Sequence, residues 1–159
     1  MVMPDLSAAL RSAFATLALL VCATATSAPA EGGLYIADAS FSFQVAAERA
    51  MAQNAGGRRF FLLSLPPETT ALLARSGPAL TVLRQRVIAA NGVLLVCRRD
   101  LDNGLVAAAG LAPGVVAVLG WPSGGSAELP LGQQQFAGED LANLPSSNEA
   151  LRRLRAACS

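Results

Sequence analysis

Three apolar runs constrain the fold of this chain more than any other feature: Phe60-Phe61-Leu62-Leu63, Val93-Leu94-Leu95-Val96-Cys97 and Val115-Val116-Ala117-Val118-Leu119. None of them alternates with polar residues. A strand with one wet face alternates, so an unbroken apolar run of this length predicts a strand covered on both faces. Leu34-Tyr35-Ile36-Ala37, ending at Asp38, predicts one more strand ahead of them.

The segments between these runs read as helices. Ser40 and Ser42 open a helical stretch to about Asn54, with Phe43, Ala47, Ala50 and Met51 on one face and Gly56-Gly57 as its stop. Pro66-Pro67 breaks the next strand and starts a short helix through Arg75. A further helix runs from about Ala79 to Ala90, with Leu80, Leu83 and Val87 on one side and Arg84 and Arg86 on another. Asp100 is placed to cap a helix reaching Ala109, and Ser146 with Glu149 makes a capping box for a terminal helix. In that last helix Leu151, Leu154 and Cys158 share a face.

Strands that alternate with helices in this way predict an α/β fold. The expected architecture is a single three-layer domain, with a mostly parallel sheet of four to five strands flanked by helices. At 159 residues the chain has room for one such domain. The expected boundaries are a signal peptide at 1–30, the α/β domain at 31–122, and a loop-rich tail at 123–159 ending in a short helix. In the tail, Pro122-Ser123-Gly124-Gly125-Ser126 reads as a loop, and Leu129, Leu131 and Phe136 as cover for a sheet edge or another subunit.

Residues 1–30 follow the order of an export signal: a start containing Arg11, an apolar stretch from Ala13 to Cys22, then small residues to Ala30. Ala28-Pro29-Ala30 favours cleavage before Glu31, which predicts a periplasmic or secreted mature chain. The apolar stretch falls short of the ~20 residues that span a bilayer, so no stable membrane span is expected. Leu19-Leu20-Val21-Cys22 loosely imitates a lipoprotein signal, but Val21 sits where a small residue is wanted.

Charge and composition exclude several functions. The formal net charge is +1 with acids and bases scattered, so nucleic-acid binding is not expected. The chain has no histidine, which removes serine–histidine and cysteine–histidine catalysis and imidazole-bound zinc. Three cysteines, one of them inside the signal, leave no thiolate zinc cluster, and no metal or cofactor is expected. Ser123-Gly124-Gly125 lacks a following helix, and the chain lacks any lysine, so a phosphate loop is discounted.

The carboxyl ends of parallel strands face the ligand crevice in open α/β sheets, and Cys97 lies at such an end. Arg98, Arg99 and a helix start follow it, and both positive charge and a helix N-terminus favour thiolate. One reading makes Cys97 a reactive thiol with Arg98 and Arg99 as binding residues; another makes it a small buried strand residue. A third pairs it with Cys158, the other cysteine of the mature chain, as a disulfide or redox couple. Asp38 and Ser64 end strands as well; Asp38 reads as a crevice residue or as a turn residue before Ser40.

The stretch Ala89-Ala90-Asn91-Gly92-Val93-Leu94-Leu95-Val96-Cys97-Arg98-Arg99-Asp100-Leu101, followed by Leu111-Ala112-Pro113-Gly114-Val115, resembles the DsrE/DsrF-like family. The shared pattern is a helix ending before glycine-valine, an apolar strand ending in cysteine, a short helix, and proline-glycine-valine entering the next strand. The resemblance spans roughly residues 33 to 121, with Asn91 standing where many members carry histidine. It implies a compact three-layer fold, homotrimers or hexamers, and in some members a sulfur relay through a cysteine persulfide, which maps onto Cys97.

Two functions follow as expectations. The chain is an exported DsrE-like protein whose Cys97 relays sulfur or works as a redox thiol. Alternatively it is a non-catalytic, homo-oligomeric accessory subunit of a cell-envelope system with a structural cysteine. A small-ligand crevice near Asp38 and Arg98 is a weaker third.

Overall fold

The computed structural model describes residues 32–122, 136 and 138–159. The expected export signal at 1–30 with Cys22, and the loop residues, Leu129 and Leu131 within 123–135, lie outside the described residues. Four strands, β1 (Leu34–Ala37), β2 (Phe60–Ser64), β3 (Gly92–Cys97) and β4 (Val115–Val118), pair in parallel in the order β1-β2-β3-β4. The domain is α/β with three layers, as the apolar runs predict. Every residue of β2 and β3 is buried, whereas β4, an edge strand, fully buries only Val118.

The sequential strand order decides which helix lies where. Each crossover steps in the same direction, and right-handed crossovers therefore all fall on one face of the sheet. Helices α1 (Phe43–Gln53) and α2 (Pro78–Ala89), with a 3-10 turn at Glu68–Leu72, accordingly share one core with Phe60, Leu62, Leu94 and Val96. The opposite face carries Phe61, Leu63, Val93, Leu95, Cys97 and Val118, and no crossover can cover it. Helix α4 (Asn148–Ala157) does so, through Ala150, Leu151, Leu154 and Cys158. The terminal helix is thus part of the core, and its ten residues, about 15 Å of helix, form the third layer.

Local chemistry fixes the helix ends. Ser42 caps α1 by accepting from the Val45 amide at 3.3 Å, and Glu68 Oε2 accepts from the Phe43 amide at 2.7 Å. The buried stripe of α1 is Phe43, Ala46, Ala47 and Ala50, whose small side chains let the helix lie close to the sheet. Pro78 opens α2 at its first position, after Gly77 at φ +101°.

Four local expectations are corrected. The short helix after Pro66-Pro67 is the 3-10 turn, ending at Leu72 and not at Arg75. The helix expected from Asp100 to Ala109 is instead α3 (Arg98–Asp102), which springs directly from Cys97, with a separate 3-10 turn at Ala108–Gly110. Asn103 and Gly104, at φ +70°, stop it early. The cap of α4 is Ser147, accepting from the Ala150 amide at 3.4 Å, one residue after the expected Ser146. Arg84 is buried, not solvated, because its guanidinium donates to the Ala71 carbonyl at 2.5 Å and to the Thr81 hydroxyl at 3.0 Å, tying α2 to the 3-10 turn.

Candidate functional site

Cys97 ends β3 and Cys158 ends α4, so packing α4 on the uncovered face brings their side chains together. They form a disulfide with Cα atoms 5.1 Å apart, spanning 61 residues of sequence. Both are buried, Cys97 completely and Cys158 with 2% exposure. Of the alternatives left open by the sequence, this arrangement is the pair.

The arginines behind Cys97 divide their work. Arg98 is exposed, whereas Arg99 turns back to the end of α4, donating to the Ala157 carbonyl at 3.2 Å and to the Ser159 carbonyl. A cation at a helix C-terminus meets its unpaired carbonyls and its negative dipole end. Arg99 Nε also lies 3.3 Å from Asp100 Oδ1, in a buried carboxylate whose Oδ2 has no partner.

Asp38 sits elsewhere. Its Oδ1 accepts from the Ser40 and Phe41 amides at 2.8 and 3.1 Å, which makes it the organiser of the turn between β1 and α1. It is two strands away from Cys97, about 10 Å by inter-strand spacing. Because the strand order never reverses, the sheet has no switch point at which crossovers part to open a shared crevice. Ser64 ends β2 fully buried, with its hydroxyl unpartnered. The structure therefore gathers Cys97, Cys158, Arg98 and Arg99; Asp38 lies two strands away, and Ser64, opposite Val96 in the ladder, takes the other face of the sheet from Cys97.

Beside the disulfide lies an open cavity of about 500 Å³, lined by Arg98, Arg99, Asp102, Trp121, Phe136 and Cys158 among others. Two guanidinium groups and two aromatic rings suit a small acidic or planar ligand. Its wall is held tightly. A Cβ on Gly120 would stand 2.2 Å from the Cys158 carbonyl oxygen, and the Trp121 amide donates to Ser159 Oγ at 2.9 Å. Among the described residues no cluster of metal-ligating side chains occurs.

The sequence reading missed the residues that fasten this corner, Arg155 and Glu139. They form a buried bidentate ion pair; Arg155 also donates to the Leu119 carbonyl at 2.7 Å, while Glu139 accepts from the Leu119 amide at 3.0 Å. The guanidinium lies 4.6 Å over the Phe136 ring. One signal was present: Leu151, Leu154, Arg155 and Cys158 are spaced i, i+3, i+4 and i+7, which puts Arg155 in the apolar stripe. A charge in such a stripe calls for a buried partner.

Compared with protein-family models, with curated proteins and with solved structures, the chain matched none. Among the described residues no helix is long and apolar enough to cross a membrane.

Proposed function

We propose that this chain is an exported, non-catalytic accessory domain of a cell-envelope system, acting through surface contacts, with Cys97 and Cys158 as a structural staple. One observation carries the reading: the two sulfurs are bonded to each other and buried where the terminal helix closes the core. A thiol must be free and accessible to act as a nucleophile, and a disulfide persists in the oxidising compartments to which an export signal leads. Membership of the DsrE/DsrF-like family and its trimeric or hexameric assembly belong to the same proposal. Sedimentation of the mature chain tests the assembly.

The cavity lined by Arg98, Arg99 and Cys158 favours a second reading, a redox thiol or sulfur relay. That chemistry first requires a partner dithiol to give two electrons and two protons to the bond, leaving the partner oxidised and Cys97 and Cys158 as thiols. Only then can the Cys97 thiolate attack the outer sulfur of a donor persulfide, forming a new S–S bond while the donor leaves as a thiolate.

Alkylation separates the two. Mature protein from its native compartment is denatured, alkylated without reductant, and weighed. The staple predicts no alkylation until strong reductant is added and two alkyl groups afterwards. Free thiols, a bond opened by mild reductant, or an added sulfur atom on Cys97 would overturn it.

A further inference from the structure

Among the described residues, nothing pairs with the outer edge of β1. Gly33 and Ala37 turn their carbonyls to β2, accepting from the Phe61 and Leu65 amides at 3.0 and 2.8 Å. Backbone groups alternate along a strand, so the N–H and C=O of Leu34 and Ile36 point away from the sheet, and no described residue meets them. Edge strands are ordinarily blunted by a charge, a proline or a bulge. The strand Leu34-Tyr35-Ile36-Ala37 has neither charge nor proline, and its register with β2 is unbroken.

That edge is the floor of a groove of about 350 Å³. Phe41, Val45 and Arg49 line one side and Arg153 of α4 contributes from the other. Phe41 and Val45 are 47% and 46% exposed, and the Arg49 guanidinium rests 5.5 Å over the Phe41 ring. The lining is net positive: two guanidinium groups, Arg49 and Arg153, stand against one carboxylate, Asp38, whose Oδ1 accepts from its own loop.

We propose that this groove binds an extended acidic peptide segment, which adds to β1 as a fifth strand. The Leu34 and Ile36 backbone would supply the hydrogen bonds, Phe41 and Val45 the apolar contact, and Arg49 and Arg153 the choice of acidic side chains. A second copy of the chain fits less well, since self-pairing would bring four guanidinium groups into one groove. The inference rests on the proposed binding role and names its partner.

The test uses the mature, oxidised protein with a peptide of Val-Val-Glu-Glu repeats, which sets glutamates on both faces of an added strand, and a Val-Val-Lys-Lys peptide as control. Expected are binding of the acidic peptide alone and slowed hydrogen exchange at the Leu34 and Ile36 amides. The double variant Arg49→Glu, Arg153→Glu should weaken binding about tenfold or more. Ile36→Pro, which removes an outward N–H that β2 does not use, should abolish the binding without unfolding the sheet. No slowing at the two amides, equal binding of the lysine peptide, or the same protection arising from self-association without peptide would each overturn the proposal. The disulfide is checked by mass in the same sample. If it is intact and the peptide fails, this inference falls alone; if the thiols are free, the accessory reading falls whatever the peptide does.

Discussion

Arg155 and Glu139 face each other in the interior as a bidentate pair, with 0% and 3% of their side chains exposed. Both hold Leu119, one by its carbonyl and the other by its amide, so the end of β4 is fixed to α4 through charge. Removing one partner strands the other in a dry site. Glu139→Ala should therefore cost about 3–5 kcal/mol in urea unfolding. The double variant Arg155→Met, Glu139→Leu should recover part of that loss, because no unpaired charge remains although the Leu119 amide and carbonyl lose their partners. A double variant no more stable than Glu139→Ala would contradict this account.

Gly120 passes against the chain terminus where no side chain fits. Adding a methyl group sets it 2.2 Å from the Cys158 carbonyl oxygen and 2.5 Å from the Ser159 nitrogen, both backbone atoms that move only with α4. Gly120→Ala should destabilise by about 3 kcal/mol, near the upper end for overpacking. It should also make the disulfide easier to reduce, read as the reductant concentration that opens half of it. Wild-type stability and wild-type reduction would show that this close approach is absent in solution.

Ser64 gives the opposite expectation. Its hydroxyl is fully buried at the end of β2 and has no partner among the described residues, so Ser64→Ala removes an unmet polar group. Stability should stay level or rise by about 1 kcal/mol, whereas Leu62→Ala on the same strand should lose about 2–5 kcal/mol. A marked loss in Ser64→Ala would place a hydrogen-bond partner on that hydroxyl. Paired thermal or urea melts decide it.

The parts of the fold legible in the sequence are those fixed by local pattern. Phe60 to Leu63 and Val93 to Cys97 are strands because nothing polar interrupts them, and both are buried throughout. Leu151, Leu154 and Cys158 share a buried face because helical spacing puts them there. What was not legible depends on partners distant in sequence. Arg84 looks like a surface residue until the turn at Glu68–Leu72 supplies the Ala71 carbonyl as an acceptor. Glu139 comes from a segment without periodicity, so its bond to Arg155 could not be read. The crevice argument for Cys97 and Asp38 rested on strand ends alone, whereas a shared crevice also needs the strand order to reverse, and the order β1-β2-β3-β4 does not.

That same order explains why the disulfide matters. All crossovers lie on one face, so among the described residues the other face is covered by the ten-residue α4 together with Leu144. Helices this short are marginal alone, and a covalent tie keeps α4 near the sheet even when it frays.

The most direct test of the staple is the unfolding free energy of residues 31–159 with the bond intact and in the variant Cys97→Ala, Cys158→Ala. Closing a loop of 61 residues limits the unfolded chain by about 4 kcal/mol in the entropy model, and measured effects run about 2–4 kcal/mol. The account predicts a loss in that range, a midpoint lower by roughly 10–20 °C, and retained far-ultraviolet circular dichroism of an α/β domain. Equal stability with and without the bond would contradict it, and would return Cys97 to the chemistry of a working thiol.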